Sequence, residues 1–406
     1  MKIERLKHVA DIRVSNVDKK SADGDAQIRL CNYTDVYYNE RITGALDFMT
    51  ATATQDQRAT FGLREGDVVL TKDSETADDI GVSALVAEDV PDLVCGYHLA
   101  VVRARAGRAV GGYLRWVIAS VLARQQMSAA ATGVTRFGLR SEAIADLSVP
   151  VPPIPIQGAI ADYLDRETVR IDAFIAAKRR MVELLEERWQ EVLDTAVWSD
   201  VVRTTRVMHV VDLRRQVMYG IVLPGPDVGG EGIAIVKGGD VAKGRLSWEA
   251  LCKTTPEIEA PYARARVRGG DLVFAIRGGI GDVAIVPEEL TGANLTQDVA
   301  RVAPRTGISS QWLMYALQSP KCQHDVRRRV TGATITGLNI WELERVAIPL
   351  ASADRQQRDL EQLTEEAEHL RAMGGALDRQ VALLQEHRQA LITAAVTGQL
   401  HIPEAA

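Results

Sequence analysis

The chain has 406 residues, of which 46% are hydrophobic and 25% are charged, and its formal net charge is −6. This composition is typical of a multidomain protein with sizeable apolar cores. No run of about 18 apolar residues occurs, and the sequence MKIERLKHVADIR lacks an apolar signal core, so we expect a cytoplasmic protein without a membrane partner. The cysteines, which show no metal-ligand spacing and are expected to be reduced and structural, are Cys31, Cys95, Cys252 and Cys322.

The negative charge is concentrated in two regions. Residues 157–200 and 351–406 together hold 11 basic and 19 acidic residues, which leaves a charge of +2 on the rest of the chain. Charge therefore permits DNA binding by a local patch but does not argue strongly for it.

Residues 1–150 are predicted to form a globular α/β domain. A helix is predicted from Gly112 to about Ala130, and polar loops are predicted at 32–38 and 71–76. The predicted strands, each a short run bounded by turn residues, are 27–31, 67–71, 82–86 and 99–103.

Residues 151–200 are predicted to form the first of two long spacer helices. The prolines from Pro150 to Pro155 indicate a stiff extended connection, with a polyproline ligand as the alternative, and the helix follows from Gln157 to about Trp198. Its apolar residues recur with the 3.5-residue period of a coiled coil. One seam position is occupied by Ala161, Thr168, Ile175, Val182, Trp189 and Ala196, and the other by Leu164, Ile171, Lys178, Leu185 and Val192. Such a helix is roughly 60 Å long, too long to bury its seam inside an ordinary domain.

Residues 201–350 are predicted to form a second globular domain on a related plan. The matching segments are Ile28–Leu30 with Ile233–Ile235, Asp35–Val36 with Asp240–Val241, and Gly66–Val69 with Gly270–Val273. The glycine-rich stretch Arg277–Asp282 does not fit a dinucleotide-binding fingerprint, and a turn between two strands is the favoured interpretation.

Residues 351–406 are predicted to form the second long helix and a C-terminal tail. One seam position of this helix is occupied by Leu363, Leu370, Leu377, Leu384 and Leu391. The pair Gly374–Gly375 either allows a close approach of two helices or bends this one, and Gly398 is placed to cap the C-terminal end. The alternative to helix pairing is that each helix packs on its own globular neighbour.

The chain is an internal duplication. A shift of 199 positions places Thr132–Trp198 on Thr331–Thr397 without a gap, with good agreement in the helices and poor agreement in the globular regions. This predicts one scaffold that carries two different surfaces, arranged as globule, helix, globule, helix with pseudo-twofold symmetry.

The duplicated helical segments resemble those of type I restriction-modification specificity subunits. The resemblance is carried by Ala159–Asp165, Arg170–Asp172, Leu184–Arg188 and Ala394–Gly398, together with Gly279–Gly281, Asn294–Asp298 and Gly332–Leu338 in the globular regions. It covers essentially the whole chain. One departure is the second joint, Leu350–Gln356, which lacks the prolines common at this point in the family.

The resemblance implies two target-recognition domains separated by an antiparallel coiled coil. Each domain would read one half of a bipartite site in double-stranded DNA, and the helices would set the unread spacer. The chain itself would be non-catalytic and without cofactor or metal. Its partners would be two modification subunits that use S-adenosylmethionine and restriction subunits that use ATP and Mg²⁺. The sequence has no Walker motif, no amino-methyltransferase motif and no metal-binding cluster, in agreement with this expectation.

Polar residues on predicted loops are the candidates for DNA contacts, because base edges and phosphates are recognised by such side chains. In the first domain they are Tyr37, Thr71, Lys72, Ser74, Thr135 and Arg136, and in the second Lys237, Arg277, Asn294, Gln297 and Thr334. The structural alternatives are that Asn294 and Gln297 cap a turn and that Thr135 and Thr334 brace the start of a helix. The run Arg327–Arg329 is either a solvated face or a phosphate clamp.

Two other functions remain open at the level of sequence. A coiled-coil adaptor with two protein-binding domains would have the same layout and no role in DNA reading. An enzyme with an unrecognised site in one domain is the other alternative, although no set of acid, base and nucleophile recurs in both halves.

Overall fold

The computed structural model describes residues 1–20, 22, 24–199, 203–242, 244–332 and 336–402. Two compact units emerge, Met1–Arg179 with Asp378–Ala406 (unit 1) and Arg180–Leu377 (unit 2). Both boundaries fall within long helices, so each unit combines one globular region with parts of both helices.

The globular region of unit 1 is a mixed α/β structure. Its strands are β1 (Ile3–Arg5), β2 (Ala10–Val14), β3 (Ala26–Cys31), β4 (Arg41–Ile42), β5 (Met49–Ala53), β6 (Val68–Thr71), β7 (Asp73–Ser74), β8 (Ser83–Val86), β9 (Leu93–Cys95), β10 (Leu99–Ala104), β11 (Phe137–Gly138) and β12 (Ser148–Pro150). Its helices are α1 (Tyr33–Tyr37), α2 (Gln55–Phe61), α3 (Gly111–Ala119), α4 (Val121–Ala130) and α5 (Ser141–Ala145), and the long helix α6 (Ile154–Trp198) follows. A five-stranded sheet of order β2-β10-β6-β8-β4 is accompanied by a three-stranded sheet of order β5-β3-β9, and β1 pairs with β12.

The four strands predicted in this region are confirmed, but the single predicted helix is two helices. The chain leaves the helical conformation at Ser120, where ψ is 154°. The Ser120 hydroxyl accepts a hydrogen bond from the amide of Ala123 and so caps the start of α4. A serine that competes for backbone amides favours such a break over a continuous helix.

Unit 2 repeats this topology. Its strands are β13 (Thr204–Arg206), β14 (Met218–Tyr219), β15 (Ile233–Val236), β16 (Lys253–Thr254), β17 (Leu272–Ala275), β18 (Val283–Ile285), β19 (Asn294–Leu295), β20 (Val299–Val302) and β21 (Ala347–Pro349). Its helices are α7 (Gly238–Ala242), α8 (Pro256–Glu259), α9 (Ser310–Gln318), α10 (Pro320–Arg329) and α11 (Ile340–Glu344), and α12 (Ala353–Thr397) follows. The sheet β14-β20-β17-β18 corresponds to β2-β10-β6-β8, and β16-β15-β19 corresponds to β5-β3-β9. The predicted duplication of the globular regions is therefore confirmed.

The two long helices pair in antiparallel orientation. In unit 1 the first part of α6 shares a core with the last part of α12, including Leu164 and Val396. In unit 2 the last part of α6 packs on the first part of α12, including Val197 and Leu363. Since the start of each helix lies against the end of the other, the predicted antiparallel pair is confirmed. The helix ends also pack on their globular neighbours. The packing therefore combines both alternatives that the sequence left open, pairing of the helices and packing of each helix on a globular region.

The predicted heptad seam of α6 is the buried face of that helix. Every seam residue is buried or half-buried, including Lys178. Helix α12 continues through the half-buried pair Gly374–Gly375 without interruption. It ends at Thr397, and Gly398 follows with φ of 76°, the left-handed conformation that the sequence predicts for this cap. Among the described residues, no helix is both long and apolar enough to span a membrane.

A buried glutamine joins each globular region to its helix in the same way. The Gln157 side chain accepts a hydrogen bond from Val110 N and donates to the carbonyl oxygens of Arg108 and Pro152. Gln356 repeats this pattern at the second joint, with Ser309 N, Gly307 O and Ala351 O. The second joint therefore keeps its hydrogen bonds although it lacks the prolines that follow Pro150.

Candidate nucleic-acid interface

A polar cluster lies in unit 1 where strand β6 ends and strand β10 begins. The Lys72 ammonium lies 2.9 Å from the Asp73 carboxylate and 4.6 Å from the centre of the Tyr97 ring. The same carboxylate oxygen is 2.8 Å from Nδ1 of His98, and the ring of Tyr97 packs edge-on against His98. Tyr97 is exposed, whereas the other three side chains are partly or largely covered. The cluster thus presents an aromatic face with both donors and acceptors beneath it.

Three tyrosines lie on or next to helix α1. Tyr37 stacks on Tyr33 at a centroid distance of 5.3 Å, and the exposed Tyr38 packs edge-on against Tyr37. The Tyr37 hydroxyl donates to Asp79 at 2.8 Å, and this hydrogen bond raises the pKa of Tyr37. Tyr33 and Tyr37 are half-buried, whereas an exposed tyrosine such as Tyr38 can stack on bases or contact phosphates.

The predicted contacts Thr135 and Arg136 lie on the most exposed loop of this region. The bridge between Thr132 and Gly138 closes the loop, and Val134 within it is 95% exposed. Both Thr135 and Arg136 are exposed, so their side chains are available to a ligand.

Thr71 and Ser74 are corrections to the predicted set. Thr71 is fully buried, and its hydroxyl accepts a hydrogen bond from Val82 N at 3.0 Å. Ser74 is 7% exposed and lies in strand β7, where its hydroxyl accepts from Thr76 N. Their hydroxyls stabilise the fold locally, because a buried polar group requires a partner, and we remove both from the candidate contacts.

In unit 2 the candidates Lys237, Arg277 and Gln297 follow strands β15, β17 and β19. Arg277 is exposed, and its amide donates to the carbonyl oxygen of Asp298. A Cβ atom built on Gly238 would lie 2.8 Å from the backbone oxygen of Arg277, so the start of helix α7 closely approaches the turn that carries Arg277. Lys237 and Gln297 are half-buried. The chain thus brings cationic and amide side chains to the same ends of neighbouring strands.

Asn294 is another correction, and Thr334 lies outside the described residues. Asn294 is fully buried and donates to the Glu259 carboxylate at 2.7 Å and to the Tyr262 carbonyl oxygen at 3.0 Å. Asn294 therefore has a structural role, but it links strand β19 to Glu259 and Tyr262 instead of capping a turn. The glycine-rich stretch from Arg277 joins antiparallel strands β17 and β18 through Gly278 and Gly281, both with positive φ, as the sequence predicts.

Equivalent positions of the two units carry different chemistry. The two units can be aligned by one backbone hydrogen bond that they share. The Lys72 amide donates to the His98 carbonyl oxygen, and the Ile276 amide donates to the Asp298 carbonyl oxygen. By this correspondence Asp73 is matched by Arg277 and His98 by Asp298, so the acidic and basic positions are exchanged. Tyr97 is likewise matched by Gln297. The shared backbone thus carries two surfaces that cannot present the same hydrogen-bonding pattern.

The arrangement suits recognition by hydrogen bonding, stacking and ion pairing. Guanidinium and ammonium groups can donate to guanine and phosphate, and an amide such as Gln297 can pair with adenine. Within the described ranges, no group of three or more His, Cys, Asp or Glu side chains is arranged to hold a metal ion.

Comparisons with known proteins agree with the resemblance seen in the motifs. Residues 230–368 match the family model described as the type I restriction modification DNA specificity domain. The chain is 26% identical over 307 residues to the type I restriction enzyme EcoBI specificity subunit of Escherichia coli, and the match covers 68% of this chain and 63% of that protein. The matched region therefore spans less than two thirds of this relative's length.

Solved structures share the fold over nearly the whole chain. One belongs to a study of complex assembly and conformational transition of the type I R-M system, with a TM-score of 0.73 at 17% identity and coverage of 98% of both chains. Another is the HsdS subunit from Thermoanaerobacter tengcongensis, with a TM-score of 0.54, 18% identity and coverage of 98% and 97%. At these identities the structural matches establish the common fold. Residues 230–368 are thus similar to the DNA specificity domain of type I restriction-modification systems, and the chain as a whole has the fold of the solved structures.

Sequence reasoning did not select several residues of these surfaces. Asp73, Tyr97 and Asp298 were not candidates, although Tyr97 corresponds to the selected Gln297 once the two halves are aligned. Extending the candidate set to the counterparts of Arg277 and Gln297 in the other half would have found Asp73 and Tyr97.

Proposed function

We propose that this chain is the DNA-reading subunit of a type I restriction-modification complex and that each globular region reads one half of a bipartite site. The observation that carries the proposal is the exchange of acidic and basic residues at equivalent positions, Asp73 and His98 in one unit and Arg277 and Asp298 in the other. The two units share one fold but have acidic and basic residues at exchanged positions. They are therefore suited to two different half-sites, because a base edge is recognised by side chains with complementary hydrogen-bond donors and acceptors.

Residues 1–150 and 201–350 would form the two target-recognition domains, and residues 151–200 and 351–406 would form the spacer helices and tail. The retained contact candidates are Tyr37, Thr135, Arg136, Lys237, Arg277 and Gln297, with Thr334 outside the described residues. Lys72 is only 8% exposed and is retained as the support beneath the exposed ring of Tyr97. In this proposal the paired helices set the number of unread base pairs. We propose no catalytic role or cofactor for this chain, and place S-adenosylmethionine, ATP and Mg²⁺ on its partners.

The exposed charged faces of the long helices would dock two modification subunits, and restriction subunits would join that complex. These faces include Glu183, Glu186, Glu187 and Arg188 on α6 and Glu365 and Glu368 on α12, all exposed. The duplication predicts two equivalent docking sites. A complex of one modification subunit per chain would exclude this part of the proposal, while a 1:2 complex would support it.

The proposal is tested by selecting bound duplexes from a random DNA library with the purified complex of chain and modification subunits. We expect the selected duplexes to share two short conserved halves at a fixed separation. An assembled complex that selects no sequence would contradict DNA reading.

The salt dependence of DNA binding separates this function from the coiled-coil adaptor. Contacts with phosphates release counterions, so affinity should fall steeply as salt rises. DNA binding that is weak and insensitive to salt would favour the adaptor.

A further inference from the structure

Unit 2 contains an arginine-lined cleft that is separate from the Arg277 surface. Its volume is about 490 Å³, and it lies between the loop that precedes β14, the 3-10 helix Ala260–Ala265 with the segment after it, the turn at Gly292 and strand β20. Its charged lining residues are Arg214, Arg215, Arg264, Arg266, Arg268 and Arg301. Within the part of the chain that the structure describes, no aspartate or glutamate lines the cleft.

Two of these arginines are neutralised from behind by buried carboxylates. Arg215 makes two hydrogen bonds of 2.5 Å to Asp271, and Arg266 makes bonds of 2.7 and 2.6 Å to Glu259. Both carboxylates are almost fully buried. These pairs hold the walls of the cleft and leave the remaining guanidinium groups to determine its charge.

Arg301 forms the floor of the cleft and is 3% exposed. Its Nη1 donates to the carbonyl oxygens of Arg264 and Arg266, each at 2.7 Å, and its Nη2 donates to Gln216 O at 3.1 Å. Its Nε is buried without a hydrogen-bond partner among the described residues. Burial, reinforced by the nearby charge of Arg215, lowers the pKa of Arg301. An anion in the cleft would therefore stabilise the charged form of this side chain.

Three exposed arginines surround this floor. Arg214, Arg264 and Arg268 form no salt bridge within the described ranges. The Arg301 hydrogen bonds hold the backbone at Arg264, so that position is fixed by the fold. Guanidinium groups bind phosphate through paired donors, which makes phosphate the anion that best fits this set.

The cleft is specific to unit 2. Arg301 pairs with Val273 and Met218 in its sheet, and the residue at the same register in unit 1 is Val101, which pairs with Val69 and Arg13. A buried arginine at this place is thus a property of one half, not of the scaffold.

The cleft and the Arg277 surface lie at opposite ends of strand β17. Arg268 precedes the strand and Arg277 follows it. The four residues of β17 alone span about 13 Å, so Arg277 and the cleft contact different parts of a bound duplex. A duplex whose major groove, about 12 Å wide, meets Arg277 can have a flanking backbone strand on the side of the cleft.

We propose that this cleft binds phosphate groups of the DNA backbone next to the bases read by unit 2. The inference rests on the proposed DNA-reading function and adds a contact that strengthens binding without selecting sequence. A free phosphorylated compound has the same chemistry, so the experiment must separate the two sources.

The test compares the wild-type chain, assembled with its modification subunits, with the double variant R264A/R268A and the control R206A/R305A. The control removes two exposed arginines from the globular region of unit 2, outside the cleft, and so matches the change in charge. Affinity for a selected duplex and for one without the site is measured between about 50 and about 200 mM salt. Loss of two phosphate contacts should reduce the change in affinity over this range by about twelvefold.

The proposal is supported if the change in affinity with salt is reduced by this factor on both duplexes for R264A/R268A, while the control behaves as the wild type does. Unchanged salt dependence, or a loss confined to the selected duplex, would overturn the proposal. If duplex binding is unchanged but pyrophosphate raises the Tm of the wild type and not of the variant, the cleft binds a free phosphorylated compound and the backbone assignment is wrong. Failure of the wild type to select a sequence would refute the proposed function, whereas failure of the cleft alone leaves the selected site intact.

Discussion

At the scale of single residues, the exchange between Asp73 and Arg277 links the fold to the two surfaces that we propose read DNA. Asp73 follows strand β6, and Arg277 follows the equivalent strand β17. Asp73 lies beside Gly138, and Arg277 lies beside Gly337. A carboxylate accepts hydrogen bonds and a guanidinium donates them, so the two positions favour different partners.

Arg277→Ala should weaken binding to the selected site by about 1 to 3 kcal/mol if this side chain reads a base. The reason is its exposed position after β17 and the ability of a guanidinium to pair with guanine. Binding is measured on the selected duplex and on duplexes changed in either half, with the exposed Arg305→Ala as control. Unchanged affinity would remove Arg277 from the reading surface.

Glu259→Gln should destabilise unit 2 by about 1 to 3 kcal/mol at neutral pH. The hydrogen bonds from Arg266, which outweigh the effect of burial and are assisted by Asn294, lower the pKa of Glu259 from 4.5. The charged carboxylate therefore contributes stability above about pH 4.5, and this contribution is lost as the pH falls through the lower pKa of the folded protein.

Urea unfolding of the full chain at several pH values measures this effect, with the exposed Glu289→Gln as control. The difference between wild type and Glu259→Gln should shrink in acid, below about pH 4.5. A difference that stays constant down to acid pH would show that ionisation of Glu259 is not its source.

The predicted site residues separate according to burial, which the sequence does not reveal. Tyr37, Arg136 and Arg277 lie where a ligand can approach, whereas Thr71 and Asn294 complete hydrogen bonds in the interior. A polar residue beside a strand can contact a ligand or complete a hydrogen bond in the interior. Which of these it does depends on the segments that pack over it in the folded protein.

At the scale of elements, the long helices were the most predictable part of the chain. Their seams follow one period over many turns, so the pattern outweighs local irregularities such as Gly374–Gly375. The break at Ser120 was missed because the apolar pattern continues across it, while the capping hydroxyl acts locally. The glutamine joints were recognisable as a repeated residue, but their hydrogen bonds depend on tertiary structure.

The two helix pairs are held to their globular regions by different chemistry. In unit 1 the guanidinium of Arg388 pairs with Glu40 of the globular region and lies 5.9 Å from the ring of Trp116. In unit 2 the equivalent contact is aromatic, between Trp189 and Tyr315 at 5.7 Å. The same position of the helix pair thus carries an ionic contact in one unit and an aromatic contact in the other.

Gln356→Leu should destabilise unit 2 by about 2 to 4 kcal/mol, because it leaves Ser309 N and two carbonyl oxygens without partners in a buried joint. Gln362→Leu, on the exposed face of the same helix, is the matched control and should be close to neutral. Hydrogen exchange of the amides in α9 and the start of α12 measures the effect locally. Equal protection in the two variants would show that the joint does not depend on this side chain.

At the scale of the whole molecule, duplication is the organising feature. The repeat of the β2-β10-β6-β8 order as β14-β20-β17-β18 was foreseeable from a few matched segments, since both halves must cover the same helix joint. The surfaces were less predictable because they lie on loops, where the backbone plan leaves side chains free to differ. The arginine cleft illustrates this limit, since its residues come from four separated segments of the chain.

The most direct test of the account is a map of N6-methyladenine in DNA from cells that carry this chain with the modification subunits proposed as its partners. We predict a methylated motif of two short halves with a fixed gap. We further predict that substitutions at Lys72 and His98 relax one half, and those at Arg277 and Gln297 relax the other. A continuous motif, or a loss of both halves from a substitution in one unit, would contradict the account.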